Sequence, residues 1–132
     1  MTIDKPNPEE HPDYYSKYIS KATWSDVLEA HTESLKALQA LLINLPEEKW
    51  NYRYAADKWT IKDIVGHLID TERIMTYRAV AIARKESQAL PGFEEKDYAK
   101  NNNASGRSSA DLLDEIEKAR TSSIAFLQVI TL

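Results

Sequence analysis

Residues 58–84, KWTIKDIVGHLIDTERIMTYRAVAIAR, decide the reading of this chain. Thr60 precedes the first apolar residue, and Asp63 follows three positions later. A Thr-x-x-Asp start is a weaker form of the capping box. The hydroxyl satisfies an orphan N–H, and the carboxylate suits the positive end of a helix. Apolar residues then recur at Ile61, Ile64, Val65, Leu68, Met75, Ala79 and Ile82, at helical spacing, which predicts a buried stripe on a helix running to about Glu86. Two polar residues disturb that stripe. Glu72 falls within it, and His67 falls on its edge, about 100° from its centre.

Working outward, the same signals repeat. Thr23 and Asp26 open a second amphipathic stretch, with Trp24, Val27, Leu28, His31, Leu35, Leu38, Leu42 and Leu45 on one side and Pro46 at its end. Ser108 and Asp111 open a third, with Leu112, Leu113, Ile116, Ala119, Ser123, Leu127 and Ile130 in line. Between the first two lies PEEKWNYRYAADK, whose Trp50, Tyr52, Tyr54 and Trp59 are expected to cover one end of a bundle. Before them, residues 1–13 are polar and carry Pro6, Pro8 and Pro12. They read as an extended arm. Tyr14, Tyr15, Tyr18 and Ile19 follow as a candidate aromatic plug over a core edge. Pro91-Gly92 marks a turn, and Glu94–Lys100 is a candidate short helix within the long connection 89–107.

The whole is all-α: one domain over residues 1–132, with three long helices whose apolar stripes are wide enough for a bundle. Its length suits a single core. There are no cysteines, which removes disulfides, thiolate zinc sites and cysteine nucleophiles. The N-terminus has no apolar run of signal-peptide type, and no stretch is long enough to span a membrane. The net charge is −4, and Lys and Arg are interspersed with acids, so nothing marks a nucleic-acid-binding face.

The candidate chemistry centres on His67. A histidine projecting into a bundle can ligate a divalent metal through one ring nitrogen while the other donates to an acceptor, or it can act as a general base. It can equally be a half-buried side chain bonded to a carboxylate or carbonyl. The remaining histidines are His11 and His31, and no H-x-x-x-H or H-E-x-x-H pair exists. Glu72 lies about 140° from His67 on the helical wheel and is expected to meet a partner on a neighbouring helix, for example His31. Arg78, about 20° from His67 on the wheel, is a candidate clamp for an anionic substrate group or a member of an ion pair. No glycine-rich phosphate loop is present, and nothing marks a Ser-His-Asp triad.

Several stretches together resemble one family: YYSKYI at 14–19, the segment 45–84, LPGFEEKDYAKNN at 90–102 and SSADLLDEIEKARTSSIAFL at 108–127. The most specific is W-[ST]-x-K-[DE]-[IV]-x-G-H-L-x-D-x-E-R, which stands here from Trp59 to Arg73. The chain resembles the DinB-like (DinB/YfiT) superfamily of bacterial metal-dependent enzymes. The resemblance implies a four-helix bundle with long crossover connections, often a homodimer. It implies a zinc or nickel ion held by three histidines, one of which maps onto His67. It implies thiol S-transferase or hydrolase chemistry. Characterised relatives act with bacillithiol, mycothiol or glutathione, and include a maleylpyruvate isomerase. The family name carries no implication of DNA binding.

The other two ligands of that family form an H-x-x-x-H pair on a fourth helix, which residues 1–132 do not contain. His67 alone carries over as metal ligand, with His31, Glu72 and Arg78 as candidate neighbours or pocket residues. The chain stops on the apolar Thr131-Leu132, as a truncated chain would, and a site with few donors is expected to bind metal weakly or not at all. Three such helices leave a groove of several hundred Å² of apolar surface, from which self-association is expected. The expectation is a cytoplasmic DinB-like protein, with a non-catalytic helical dimer for small-molecule binding or interaction as the alternative.

Overall fold

The computed structural model describes residues 3–130. Residues 1–2 and 131–132, with the Thr131-Leu132 ending, lie outside them. The described residues form five α-helices and no strand. These are α1 (Ser16–Ile19), α2 (Val27–Leu42), α3 (Ile61–Ala83), α4 (Glu95–Asn101) and α5 (Ser109–Leu127), with four short 3-10 turns between or before them.

Local chemistry sets each long helix. At α3 the Thr60 hydroxyl accepts from the Asp63 N–H at 3.1 Å, and the Asp63 carboxylate accepts from the Thr60 N–H at 2.9 Å. Both orphan donors are thereby satisfied. At α5 the Ser108 hydroxyl accepts from the Asp111 N–H at 3.1 Å, while the Asp111 carboxylate turns away to Arg107 at 2.6 Å. At α2 the cap is Asp26, which accepts from the Leu28 N–H at 3.2 Å, so the helix starts three residues later than a Thr23 cap predicts. Asp26 holds an extended backbone there and also accepts from the Ile3 N–H at 3.4 Å, tying the start of the chain to the helix. Within 1–13, Pro8–Glu10 closes a 3-10 turn.

Cross-helix contacts define the topology. Residues 72, 73 and 76 of α3 meet residues 120, 115 and 123 of α5, so these helices run parallel. Residues 34 and 39 of α2 meet residues 120 and 117, so α2 runs antiparallel to both. Parallel neighbours need a return crossover, here residues 84–108. It descends beside α3: Arg78 donates to the Pro91 carbonyl at 3.0 Å, and lower down the 102–104 turn lies against Gly66. A Cβ on Gly66 would stand 2.7 Å from Asn102 Nδ2 and 2.8 Å from Ala104 Cβ, so this close approach requires glycine.

The apolar core sits at one end of the helix trio. Leu42, Trp50, Val65, Ile69, Ala104, Leu112 and Ile116 are buried there, with Leu38, Leu45, Ile61 and Leu113 packed around them. Trp50 is fully buried and donates its indole N–H to the Leu45 carbonyl at 3.3 Å. Two sequence expectations fail on the aromatics. Tyr52 and Tyr54 are exposed rather than covering the bundle end, because Trp50 alone turns inward. Tyr14, Tyr15 and Tyr18 are also exposed. They pack on one another, with the Lys17 ammonium 4.5 Å and 5.0 Å from the Tyr14 and Tyr18 ring centres, and plug no core.

The buried face of α3 also differs from the predicted stripe. Val65 and Ile69 are buried, whereas Ile64, Leu68, Met75 and Ile82 are 43%, 37%, 47% and 67% exposed. The two lines of apolar residues lie about 100° apart on the helix. Helix α5, with the turns at Glu47–Asn51 and Ala104–Gly106, covers the first, and the second faces outward beside His67. In α5 the stripe is as expected, with Leu112, Ile116, Ala119 and Ser123 buried.

Candidate metal-ligand wall and buried polar network

His67 projects from the first half of α3, half-buried, beside the outward apolar line. Trp59, just before the helix cap, holds the imidazole from one side, with ring centres 4.9 Å apart and planes inclined by 43°. The start of the helix therefore fixes the ring: the Thr60 cap positions Trp59, and eight residues after Trp59 the histidine folds back over it. Neither ring nitrogen is taken by a hydrogen bond among the described residues, so both stay available to a ligand. However, no three or more histidine, aspartate or glutamate side chains among the described residues converge to hold a metal ion. The donors present do not by themselves fit a zinc or nickel site.

Glu72 lies elsewhere. It points into the interior with its side chain 11% exposed, where its carboxylate accepts from Arg120 Nε at 2.9 Å. The Arg120 guanidinium also donates to the His31 carbonyl at 2.9 Å and to the Ser34 hydroxyl at 2.8 Å. One arginine thus joins all three long helices. The sequence expectation that Glu72 would meet His31 is realised only indirectly, through Arg120 and the His31 backbone. The His31 ring uses Nδ1 on the Val27 carbonyl, at 2.9 Å.

One turn beyond Glu72, Thr76 Oγ1 lies 2.7 Å from the Glu72 carbonyl and 2.8 Å from Ser123 Oγ. A cavity of about 220 Å³ opens beside these groups, lined by His31, Glu72, Thr76 and Ser123 and by apolar side chains including Met75 and Phe126.

Arg78 is brought to none of this. It donates to the Pro91 carbonyl and lies 5.8 Å from the Phe93 ring centre, which makes it a strut for the crossover. Eleven residues of helix separate it from His67, about 16 Å along the axis. The four sequence candidates therefore divide: His31 and Glu72 share the cavity, while His67 and Arg78 each stand apart.

Arg120 was not anticipated from sequence, although a signal existed. It is a base on the margin of the α5 stripe, and Glu72 is the acid that falls within the apolar stripe of α3. Two opposite charges on core-facing stripes call for each other, because neither is stable unpaired. Lys62 repeats the lesson. It is buried at the foot of α3 and pairs with Glu47 at 2.9 Å.

No helix among the described residues is long and apolar enough to cross a membrane. No curated protein and no solved structure matches the chain. A family model does match, over residues 7–132, and it is that of the DinB superfamily. With nearly the whole chain matched and an all-helical architecture of the corresponding kind, this protein belongs to the DinB superfamily.

Proposed function

We propose that this chain supplies one wall of a metal-dependent site of the thiol S-transferase or hydrolase kind. His67 is the donor it contributes to a divalent ion, zinc or nickel. The remaining donors come from a further helix or a second copy laid over the outward face of α3, and the protein works in the cytoplasm on a low-molecular-weight thiol or another small molecule. The observation that carries this reading is the placement of His67: packed against Trp59, at the margin of an unpaired apolar line, with both ring nitrogens uncommitted among the described residues. A histidine serving structure alone is expected to spend a nitrogen on a carboxylate or carbonyl, as His31 does.

A second reading, a non-catalytic helical dimer for binding or interaction, is favoured by the Glu72–Arg120 pair, which commits the interior charges to holding the helices together. Metal analysis of the purified protein, joined to light scattering, separates the two. The first reading expects stoichiometric zinc or nickel that is lost in His67→Ala. Metal-free wild-type protein that still dimerises overturns the first and supports the second. A clean monomer without metal overturns both.

A further inference from the structure

The helix trio is packed at one end and hollow at the other. Leu42, Trp50, Val65, Leu112 and Ile116 fill the first end. At the second, His31, Glu72, Thr76 and Ser123 stand among Met75, Ala79 and Phe126, and a cavity of about 220 Å³ lies between α2, α3 and α5. The hydrogen-bond inventory at its polar edge selects what can enter. The Val27 carbonyl can only accept, so the neutral His31 ring carries its proton on Nδ1 and presents a lone pair at Nε2. Glu72 gives Oε1 to Arg120, and its second oxygen takes no hydrogen bond among the described residues. The Thr76 and Ser123 hydroxyls have two protons between them. The Glu72 carbonyl, the Ala119 carbonyl and each other's oxygens already offer acceptors for both. The protons at this edge are committed within the protein, and the groups left over are acceptors.

We propose that this cavity is a binding site for a small molecule with a hydrogen-bond-donating head, a primary amine or an alcohol, on a short apolar body. The head meets His31 Nε2 and the free Glu72 oxygen, while Met75 and Phe126 enclose the body. A carboxylate of the same size is excluded, because it brings only acceptors to a wall of acceptors and places a second anion beside Glu72. The site does not include His67, so it stands or falls separately from the metal reading.

Benzylamine, benzyl alcohol and benzoate are suitable probes for the protein of residues 1–132, followed by NMR shifts of the Met75 methyl group and the His31 ring. The expected result is saturable shifts with benzylamine, benzyl alcohol or both, and none with benzoate at the same concentration. His31→Phe, which keeps a ring but removes the acceptor, weakens binding at least tenfold. Ala79→Phe, placed on the cavity wall, abolishes it, and Ala79→Leu serves if the larger ring unfolds the helix. Equal binding of benzoate, no saturable binding of either donor probe, or unchanged affinity in a folded cavity-filling variant overturns the proposal. Metal content has no bearing on any of these readouts, so failure here and failure of the metal reading are told apart.

Discussion

Arg120 Nε stands 2.9 Å from Glu72 Oε1, and the same guanidinium reaches α2 through the His31 carbonyl and the Ser34 hydroxyl. With side chains 19% and 11% exposed, the two charges depend on each other. Removing one leaves the other in the interior without compensation. Arg120→Met is expected to lower unfolding stability by about 3 kcal/mol. The double variant Arg120→Met, Glu72→Leu should recover most of that, since no orphaned charge remains. Urea unfolding of the two variants tests the pair. A double variant as unstable as the single would show that Arg120 acts mainly through its bonds to α2.

Gly66 offers a test of sign. In a helix interior, Gly→Ala ordinarily stabilises by about 1 kcal/mol. Here the added methyl meets Ala104 Cβ at 2.8 Å and Asn102 Nδ2 at 2.7 Å. The Asn102 side chain can swing aside, but Ala104 Cβ moves only with its backbone. Overpacking of this kind is disfavoured by about 1–3 kcal/mol. Gly66→Ala should therefore destabilise by roughly 1 kcal/mol net. A rise in melting temperature would mean that the crossover does not rest on α3 as described.

Sequence exposed the parts of this molecule whose causes are local. The Thr60–Asp63 box, the Ser108 cap and the short helix at 95–101 depend on neighbours a few positions away, and each stands where the spacing places it. Choices between equivalent local signals were harder: Thr23 and Asp26 both suit a cap, and tertiary bonding to Ile3 accompanies Asp26. The facing of α3 was illegible for a different reason. The helix carries two apolar lines, and which of them meets α5 is decided by α5 itself. Arg78 shows the same limit, since its partner Pro91 belongs to a crossover whose path no periodicity encodes.

The end of α3 carries a residue in an unfavourable conformation. Lys85 has φ of 59°, the left-handed region. The Lys85 N–H donates to the Ile82 carbonyl at 2.9 Å, and the Glu86 N–H donates to the Ala81 carbonyl at 2.9 Å, the paired bonds of a Schellman motif. This motif stops the helix at Ala83 instead of Glu86 and turns the chain into the crossover. A side chain in this region is disfavoured by about 1–2 kcal/mol, a penalty glycine escapes. Lys85→Gly should raise stability by roughly 0.5–1 kcal/mol after the loss of unfolded-state restriction is counted. An unchanged or lowered urea midpoint would rule out a strained left-handed cap at this position.

Glu47 gives the pH dependence. Its carboxylate accepts from the Ser109 N–H at the start of α5 and from the buried Lys62 ammonium at the start of α3, so it ties the two parallel helices at their common end. These bonds, led by the one from Ser109, pull its pKa from 4.5 down to about 2. A carboxyl with a lowered folded-state pKa contributes stability that is fully present above its unfolded value. The contribution is lost as pH falls through the folded one. The stability difference between wild type and Glu47→Gln should therefore be constant from neutral pH to about pH 5 and then shrink, with only a small part left at pH 2. The carboxylate is half-exposed, so its interactions are partly screened, and added salt should narrow the difference at neutral pH. Melting curves of both proteins across pH 2–7 check the window. A difference that persists unchanged at pH 2 would assign the effect of the substitution to packing against Lys62 rather than to the charge.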